Sequence, residues 1–327
     1  MQNYMRKDCH PPIGFLGGLQ VDSHTAFTNI FEPTDIYTAR NSAPTQNVRS
    51  VSYDGYREYT QYIFFIIGWI AALSHELTAA RTMLDEEYLD DPEDFAQHKV
   101  DHNTYTWGRI CNHLVVIAAL PSGRCGTGSA QAATIGMLAS LPNIRVGLMV
   151  GIGAGVPTAD IRLGDIVVSQ PESTHGGVVQ YDAYKARVLS NGHVDGLRGF
   201  LNAPPNALLA TLARLKSTHE MGDPAVEKSL KEANEKRPNV KTYGRPPAVN
   251  SDPEQMTILP KVHYGTIASG EVLFKDAPER DAVLARLARA NIKAICFEME
   301  AAGLMNNFPC LVIRGICDHA DERKNDA

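Results

Sequence analysis

The chain has 327 residues, 44% of them hydrophobic, and a formal net charge of −6 at pH 7. That length allows one large α/β domain or two small ones, and the dispersed acidic balance supplies neither the basic footprint of a nucleic-acid binder nor an attraction to an anionic membrane. The six cysteines form no Cys-x-x-Cys and several sit in apolar runs, which reads as reduced thiols in a cytoplasmic protein.

Residues 1–57 mix Pro, Asn, Thr and Ser with isolated aromatics and no sustained period, so a flexible N-terminal extension is expected there, with the folded domain over 58–327. No basic segment followed by an apolar stretch marks a secretory signal. An apolar run over 62–72 predicts the first core strand, since 63–73 is well short of the ~20 residues that cross a bilayer. Ser74-His75-Glu76 then opens a helix on which Leu77, Ala80, Met83 and Leu84 recur at helical spacing. After an acidic loop over 90–103, residues 105–110 and 114–120 predict an antiparallel pair turned by Cys111-Asn112-His113. Next, Ser122-Gly123-Arg124-Cys125-Gly126-Thr127-Gly128-Ser129 leads into a helix over 130–141. Such a turn presents free backbone N–H groups to an anion or a sugar hydroxyl, or simply connects strand to helix. Its glycine spacing is neither a Walker loop nor the dinucleotide fingerprint.

A buried strand over 144–150 is expected to end in Gly151-Ile152-Gly153-Ala154-Gly155, where alternate glycines let a ligand or another backbone come close. Further on come a strand over 163–169 and a helical region over 205–237 with Ala207, Leu208, Leu212 and Leu215 on one face. A loop over 238–260, a strand over 263–268 and an amphipathic helix over 276–290 follow, the charges of that helix only solvating its outer face. The last two apolar runs, 294–297 and 310–313, each end in charge, as Glu298-Met299-Glu300 and as Arg314-Gly315-Ile316-Cys317-Asp318. Open α/β sheets hold their ligands at strand ends, although capping a helix or pairing with Arg314 is the commoner fate of such acids. His75, His102 and His175 lack ligand spacing with a carboxylate, so no metal is expected. The alternation of strands and helices predicts one three-layer α/β domain.

Four segments occur in a telling order: Gly147-Leu148-Met149-Val150-Gly151-Ile152-Gly153-Ala154-Gly155, Leu163-Gly164-Asp165-Ile166-Val167-Val168-Ser169, Phe297-Glu298-Met299-Glu300-Ala301-Ala302 and Arg314-Gly315-Ile316-Cys317-Asp318. Together they resemble the nucleoside phosphorylase superfamily of purine and uridine phosphorylases, and within it the methylthioadenosine/S-adenosylhomocysteine nucleosidase branch. The chain is also similar to the N-terminal domain of fungal NOD-like receptors. The resemblance implies a three-layer αβα fold with a mixed twisted sheet and a small distorted barrel, and a possible homodimer. It implies cleavage of the N-ribosidic bond of a purine nucleoside, with no cofactor and with phosphate as a possible co-substrate.

Under that resemblance Asp318 matches the acid that protonates the purine at N7, and a carboxyl of unperturbed pKa about 3.9 must be raised to hold that proton near neutrality. Glu300 matches the carboxylate that accepts both ribose hydroxyls, Met299 packs under the sugar and Glu298 lies beside it. Glu76 falls where the nucleosidases activate water, while as a helix-start acid it equally suits the positive end of a helix dipole. Ser122 and Gly123 line the sugar side, the Phe274 backbone meets the purine edge, Leu273, Phe274 or Phe297 stacks on the base, and Arg314 joins the ligand-binding set. The arginine that phosphorylases carry after the first strand is missing, so water is the expected nucleophile. Departures from the family pattern are Cys317 in place of a hydroxyl residue, a short connection from Glu300 to Arg314, and an end soon after Asp318 that is expected to omit the last helix. A nucleoside-binding signalling module without catalysis is the alternative.

Overall fold

The computed structural model describes residues 65–172, 174–184, 196–222, 225–236, 260–272, 274–308 and 310–322; the extension expected over 1–57 and nearly all of the loop expected over 238–260 lie outside them. The buried run Ile67–Ala71 forms β1, and Ser74–Met83 forms α1 directly after it. An edge hairpin follows, β2 (Glu86–Tyr88), β3 (Tyr105–Ile110) and β4 (His113–Ala119), with Cys111 taking a φ of 51° at the tight turn. Helix α2 (Thr127–Ser140) leads to the long β5 (Val146–Gly155), then β6 (Ile166–Ser169) and β7 (Val178–Gln180). Helices α3 (Asn206–Glu220) and α4 (Ala225–Lys236) precede β8 (Val262–Ser269), α5 (Ala277–Arg289), β9 (Ala294–Glu298) and β10 (Cys310–Asp318).

The strands run in the order β10-β6-β8-β9-β5-β1-β4-β3-β2, with β7 beside β8 and with β10 also bonded to β5. That last pairing closes β5, β10, β6, β8 and β9 into a small ring, from which β1, β4, β3 and β2 extend as an open sheet. The sheet is mixed, because β1 is parallel to β4 and β5 whereas β5–β9 and β6–β10 are antiparallel. The architecture is therefore the expected three-layer α/β fold with a mixed sheet and a closed corner. Among the described residues no helix is long and apolar enough to cross a membrane.

Two strands run further than their apolar stretches suggest. β5 continues through its glycines and β10 through Asp318, because the two pair in parallel from Cys310↔Gly147 to Asp318↔Ala154. Ladder bonds to a buried neighbour outweigh the poor strand propensity of glycine. The glycines are also sterically required: a Cβ on Gly147 would stand 2.3 Å from the Phe308 ring, and one on Gly153 2.7 Å from the Cys296 sulfur. The main core gathers around Trp69, Trp107, Phe65 and Phe308, with Phe65 edge-on to Trp107 at 4.8 Å between ring centroids.

Other differences have local causes. The acidic loop over 90–103 holds no strand, but just before it lies the unexpected β2, whose glutamates pair with Arg81 and Arg109. The region expected to be helical over 205–237 forms two helices, and just past the end of α3 Gly222 takes a left-handed φ of 78° that suits a helix C-terminus. Ala207 is exposed while Leu208, Leu212 and Leu215 are buried, since that stripe already fills the packed face. In α5 the charges do more than solvate: Arg280 is buried and donates to the His319 carbonyl at 2.8 Å. Replacing Gly147 by Val is expected to force Phe308 out of its packing and to cost about 1–3 kcal/mol in urea denaturation; an unchanged midpoint would contradict this packing.

Candidate functional site

A buried arginine organises a polar cluster at the middle of β5. Arg314, in the middle of β10, has no exposed side-chain surface. Its Nη2 donates to Glu298, and its Nη1 donates to the Ile152 carbonyl at 3.3 Å and lies 3.6 Å from Glu300 Oε2. Glu76 comes to the same place from α1. Its Oε2 accepts the N–H groups of Ala72 at 2.6 Å and Leu73 at 2.9 Å, so it caps its own helix, as suits a helix-start acid. Its other oxygen crosses to β5 and accepts the Ile152 N–H at 2.8 Å. Gly151 is the spacer between acid and base, for a Cβ there would stand 2.4 Å from Arg314 Nη1 and 2.5 Å from Glu76 Oε1.

The turn after β9 is wound around Glu298. That carboxylate accepts the N–H groups of Glu300 and Ala301, each at 3.0 Å, and thereby sets the direction of Glu300. Glu300 in turn accepts the Gly126 N–H at 3.2 Å, which ties the glycine-rich loop before α2 to the acid cluster. Burial pushes the Glu300 carboxyl up to about 7; Arg314 opposes that shift, while Glu298 and Glu76 reinforce it. Burial disfavours the Arg314 charge, but the surrounding Glu298, Glu300 and Glu76 outweigh it and leave the guanidinium pKa raised.

Asp318 ends the same strand. A bulge omits Cys317 from the ladder, so Ile316 pairs with Gly153 and Asp318 with Ala154, a device that re-aims a side chain. Its Oδ1 accepts the Ala320 N–H at 2.7 Å, and the Cys317 thiol lies 3.3 Å from Oδ2. Across Ala154, on the opposite neighbour strand, stands Phe297. Phe297, Phe274 and Tyr181 form one aromatic group, with centroids 5.3 Å apart for each pair that includes Phe274 and 5.6 Å for Tyr181 and Phe297. Arg314 pairs with Gly151 and Asp318 with Ala154, so three steps of strand rise place Asp318 about 10 Å beyond Arg314. The polar cluster and the acid with its aromatic neighbours thus lie at successive positions along the paired strands β5 and β10.

Glu76, Glu298, Glu300 and Arg314 are therefore brought together, and Asp318, Phe297 and Phe274 gather one step along the strands. Glu298 and Arg314 are spent on each other and on the backbone, so they position Glu300 instead of reaching outward. Met299 is half-buried in the turn between the two acids. Ser122 and Gly123 stand exposed in a turn closed by Arg124 N–H to Pro121 O at 2.9 Å, and the loop reaches the cluster through Gly126 instead. The sequence reading missed Gly126, Gly151, Tyr181 and Glu271; only the glycines carried a signal, as members of two glycine-rich runs.

Because the folded state holds the Glu300 proton more tightly than the unfolded chain, this group stabilises the protein fully below about 4.5 and loses that contribution as pH rises through about 7. Thermal melts across that window are expected to show a decline for the wild type that Glu300→Gln lacks; equal slopes in the two proteins would contradict it.

The chain is 43% identical over 284 residues to a nucleotide-binding leucine-rich repeat (NLR)-like protein of Hyaloscypha variabilis, a match covering 80% of this chain and 27% of that protein. It is 28% identical over 217 residues to the ATP nucleosidase Cap17 of Escherichia coli, covering 65% of this chain and 37% of the relative. The chain thus spans well under half the length of these curated relatives. In fold it is similar to the futalosine hydrolase of Helicobacter pylori (TM-score 0.52, 18% identity, 81% of this chain and 89% of that one). It is also similar to a mutant of the 5′-methylthioadenosine/S-adenosylhomocysteine nucleosidase of the same organism with 5′-methylthioadenosine in the active site (TM-score 0.51, 18% identity, 79% and 87%). The sequence pattern of the phosphorylase superfamily matches residues 67–327, and the chain belongs to that superfamily.

Proposed function

We propose that this domain cleaves the N-ribosidic bond of a purine nucleoside or nucleotide, with water as the nucleophile. The observation that carries the reading is the Glu76–Arg314–Glu300 cluster packed around Gly151, with Asp318 and an aromatic group further along the same strands. Cleavage of such a bond passes through an oxocarbenium-like state, which needs an acid for the departing base, acceptors for the ribose hydroxyls and a base for the attacking water. Glu300 accepts the 2′ and 3′ hydroxyls. Glu76 takes a proton from the water as its oxygen attacks C1′. The C1′–N bond breaks with its electron pair leaving on the purine, and Asp318 supplies the proton to N7. Arg314 keeps the neighbouring carboxylates tolerable to one another, since like charges this close and this buried would otherwise drive protonation.

The E. coli relative is named an ATP nucleosidase, which supports including a nucleoside triphosphate among the substrates to be tried. The fungal NLR-like relative, matched over only 27% of its length, favours a second reading in which the domain serves as the sensing end of a larger signalling protein. The two readings are compatible if cleavage is the signal.

Purified protein incubated with adenosine, inosine, methylthioadenosine and ATP, with and without phosphate, is expected to release free base in the absence of phosphate. Asp318→Asn is expected to slow that release about 10²–10⁴-fold without a matching loss of stability. Absence of release from every substrate, with nucleoside binding retained, would sink the catalytic reading and leave the sensing one.

A further inference from the structure

Helix α2 begins at the glycine-rich loop, and its first N–H groups face the site. An anion is the natural ligand of such a helix start, where free donors and the helix dipole act together. In this chain the donors are already taken by side chains of the protein itself. Gly126 N–H goes to Glu300 at 3.2 Å, and Thr127 N–H goes to Glu271 Oε1 at 2.8 Å. The same Glu271 oxygen accepts the Thr127 hydroxyl and, at 3.4 Å, the Gly128 N–H. Glu271 sits just after β8, and its backbone is fixed in turn: its N–H donates to Asp182 Oδ2 at 2.7 Å, and Asp182 Oδ1 accepts the Gln180 amide at 2.9 Å.

Room has been left for this carboxylate. Gly126 has a φ of 96°, a conformation that side-chain-bearing residues rarely adopt, and a Cβ on it would stand 2.4 Å from Glu271 Oε2. The neighbouring seat offers an incoming anion no relief. Glu300 is bonded to the adjacent N–H, and Arg314, the buried cation of the cluster, is committed to Glu298, Glu300 and the Ile152 carbonyl.

We propose that Glu271 is a specificity-determining residue, a built-in anion that fills the start of α2 and closes the site to inorganic phosphate, leaving water as the nucleophile. The inference rests on the hydrolytic reading above and supplies its physical cause. A phosphate ion entering here would have to displace Glu271 from three donors and then lie beside the Glu300 carboxylate, so charge repulsion and lost hydrogen bonds act in the same direction.

The test compares wild type, Glu271→Gln and Glu271→Ala. Inorganic phosphate binding is measured by calorimetry and by its effect on the melting temperature, and base release is measured with and without phosphate. Circular dichroism checks that each variant is folded, and Glu271→Gln keeps an acceptor for Thr127 while removing the charge. The expected result is that phosphate leaves the wild type unaffected and binds Glu271→Ala about ten- to hundredfold more tightly, with a smaller gain for Glu271→Gln. Base release by the wild type is expected to be indifferent to phosphate and that by Glu271→Ala to become phosphate-sensitive. Wild-type phosphate binding as tight as that of Glu271→Ala would overturn the proposal, as would two folded variants that gain none. If the wild type releases base without phosphate yet neither variant gains phosphate binding, the gate fails while hydrolysis stands. If the wild type releases no base but Glu271→Ala alone gains phosphate binding, hydrolysis fails and the gate stands.

Discussion

One guanidinium holds this site together. Arg314 is without exposed surface, and three carboxylates from two segments of chain, Glu76 on α1 and Glu298 and Glu300 at and just after the end of β9, surround it. A buried cation is tolerable only where its partners are close and its donors are used, and removing either side of such a pair typically costs about 3–5 kcal/mol. The need to satisfy Arg314 explains why β10 lies directly beside β5 and why β5 carries glycine at position 151. It also explains why the turn after β9 folds back on Glu298, and why α1 begins with an acid able to cap its own helix and reach the next strand. Fold and site are not separable at this point.

The cluster also separates holding from reaching. Glu298 and Arg314 bind each other and the backbone, and so fix Glu300 in a direction it could not keep alone. Glu76 is held through both of its oxygens. Burial and like charge raise the Glu300 carboxyl to about 7, where it exchanges a proton at neutral pH. Asp318 belongs to a second neighbourhood, made by the bulge at Cys317 and by the aromatic group on β9 and its surroundings. A molecule with hydroxyls at one end and a flat ring at the other matches that division.

Much of this could be read in the sequence because it is written in local signals. Apolar runs announced β1, β4 and β5, and Ser74-His75-Glu76 announced α1 at the residue where it begins. The acids after β9 and in β10 stood out because buried strands rarely carry charge. What could not be read depended on contacts between distant segments. That β5 runs through its glycines follows from pairing with β10, and that Gly126 and not Ser122 meets Glu300 follows from how the α2 start is wedged against the turn over 301–303. There a Cβ on Gly303 would stand 2.0 Å from the Thr127 carbonyl. Glu271 was invisible for the same reason, since an acid after a strand has no local feature that tells a solvated charge from a helix cap 144 positions away. Of the side chains expected to stack on a base, Leu273 lies outside the described residues, and Phe274 and Phe297 pack against each other and Tyr181.

The most direct examination of this account is a crystal structure of the protein with a non-cleavable purine nucleoside analogue. The account predicts the ribose 2′ and 3′ hydroxyls on Glu300, an ordered water between Glu76 and C1′, and the N7 edge of the base facing Asp318 beside Phe297. A ligand bound away from Glu300, or oriented with its base against the Arg314 cluster and its sugar toward Asp318, would contradict it.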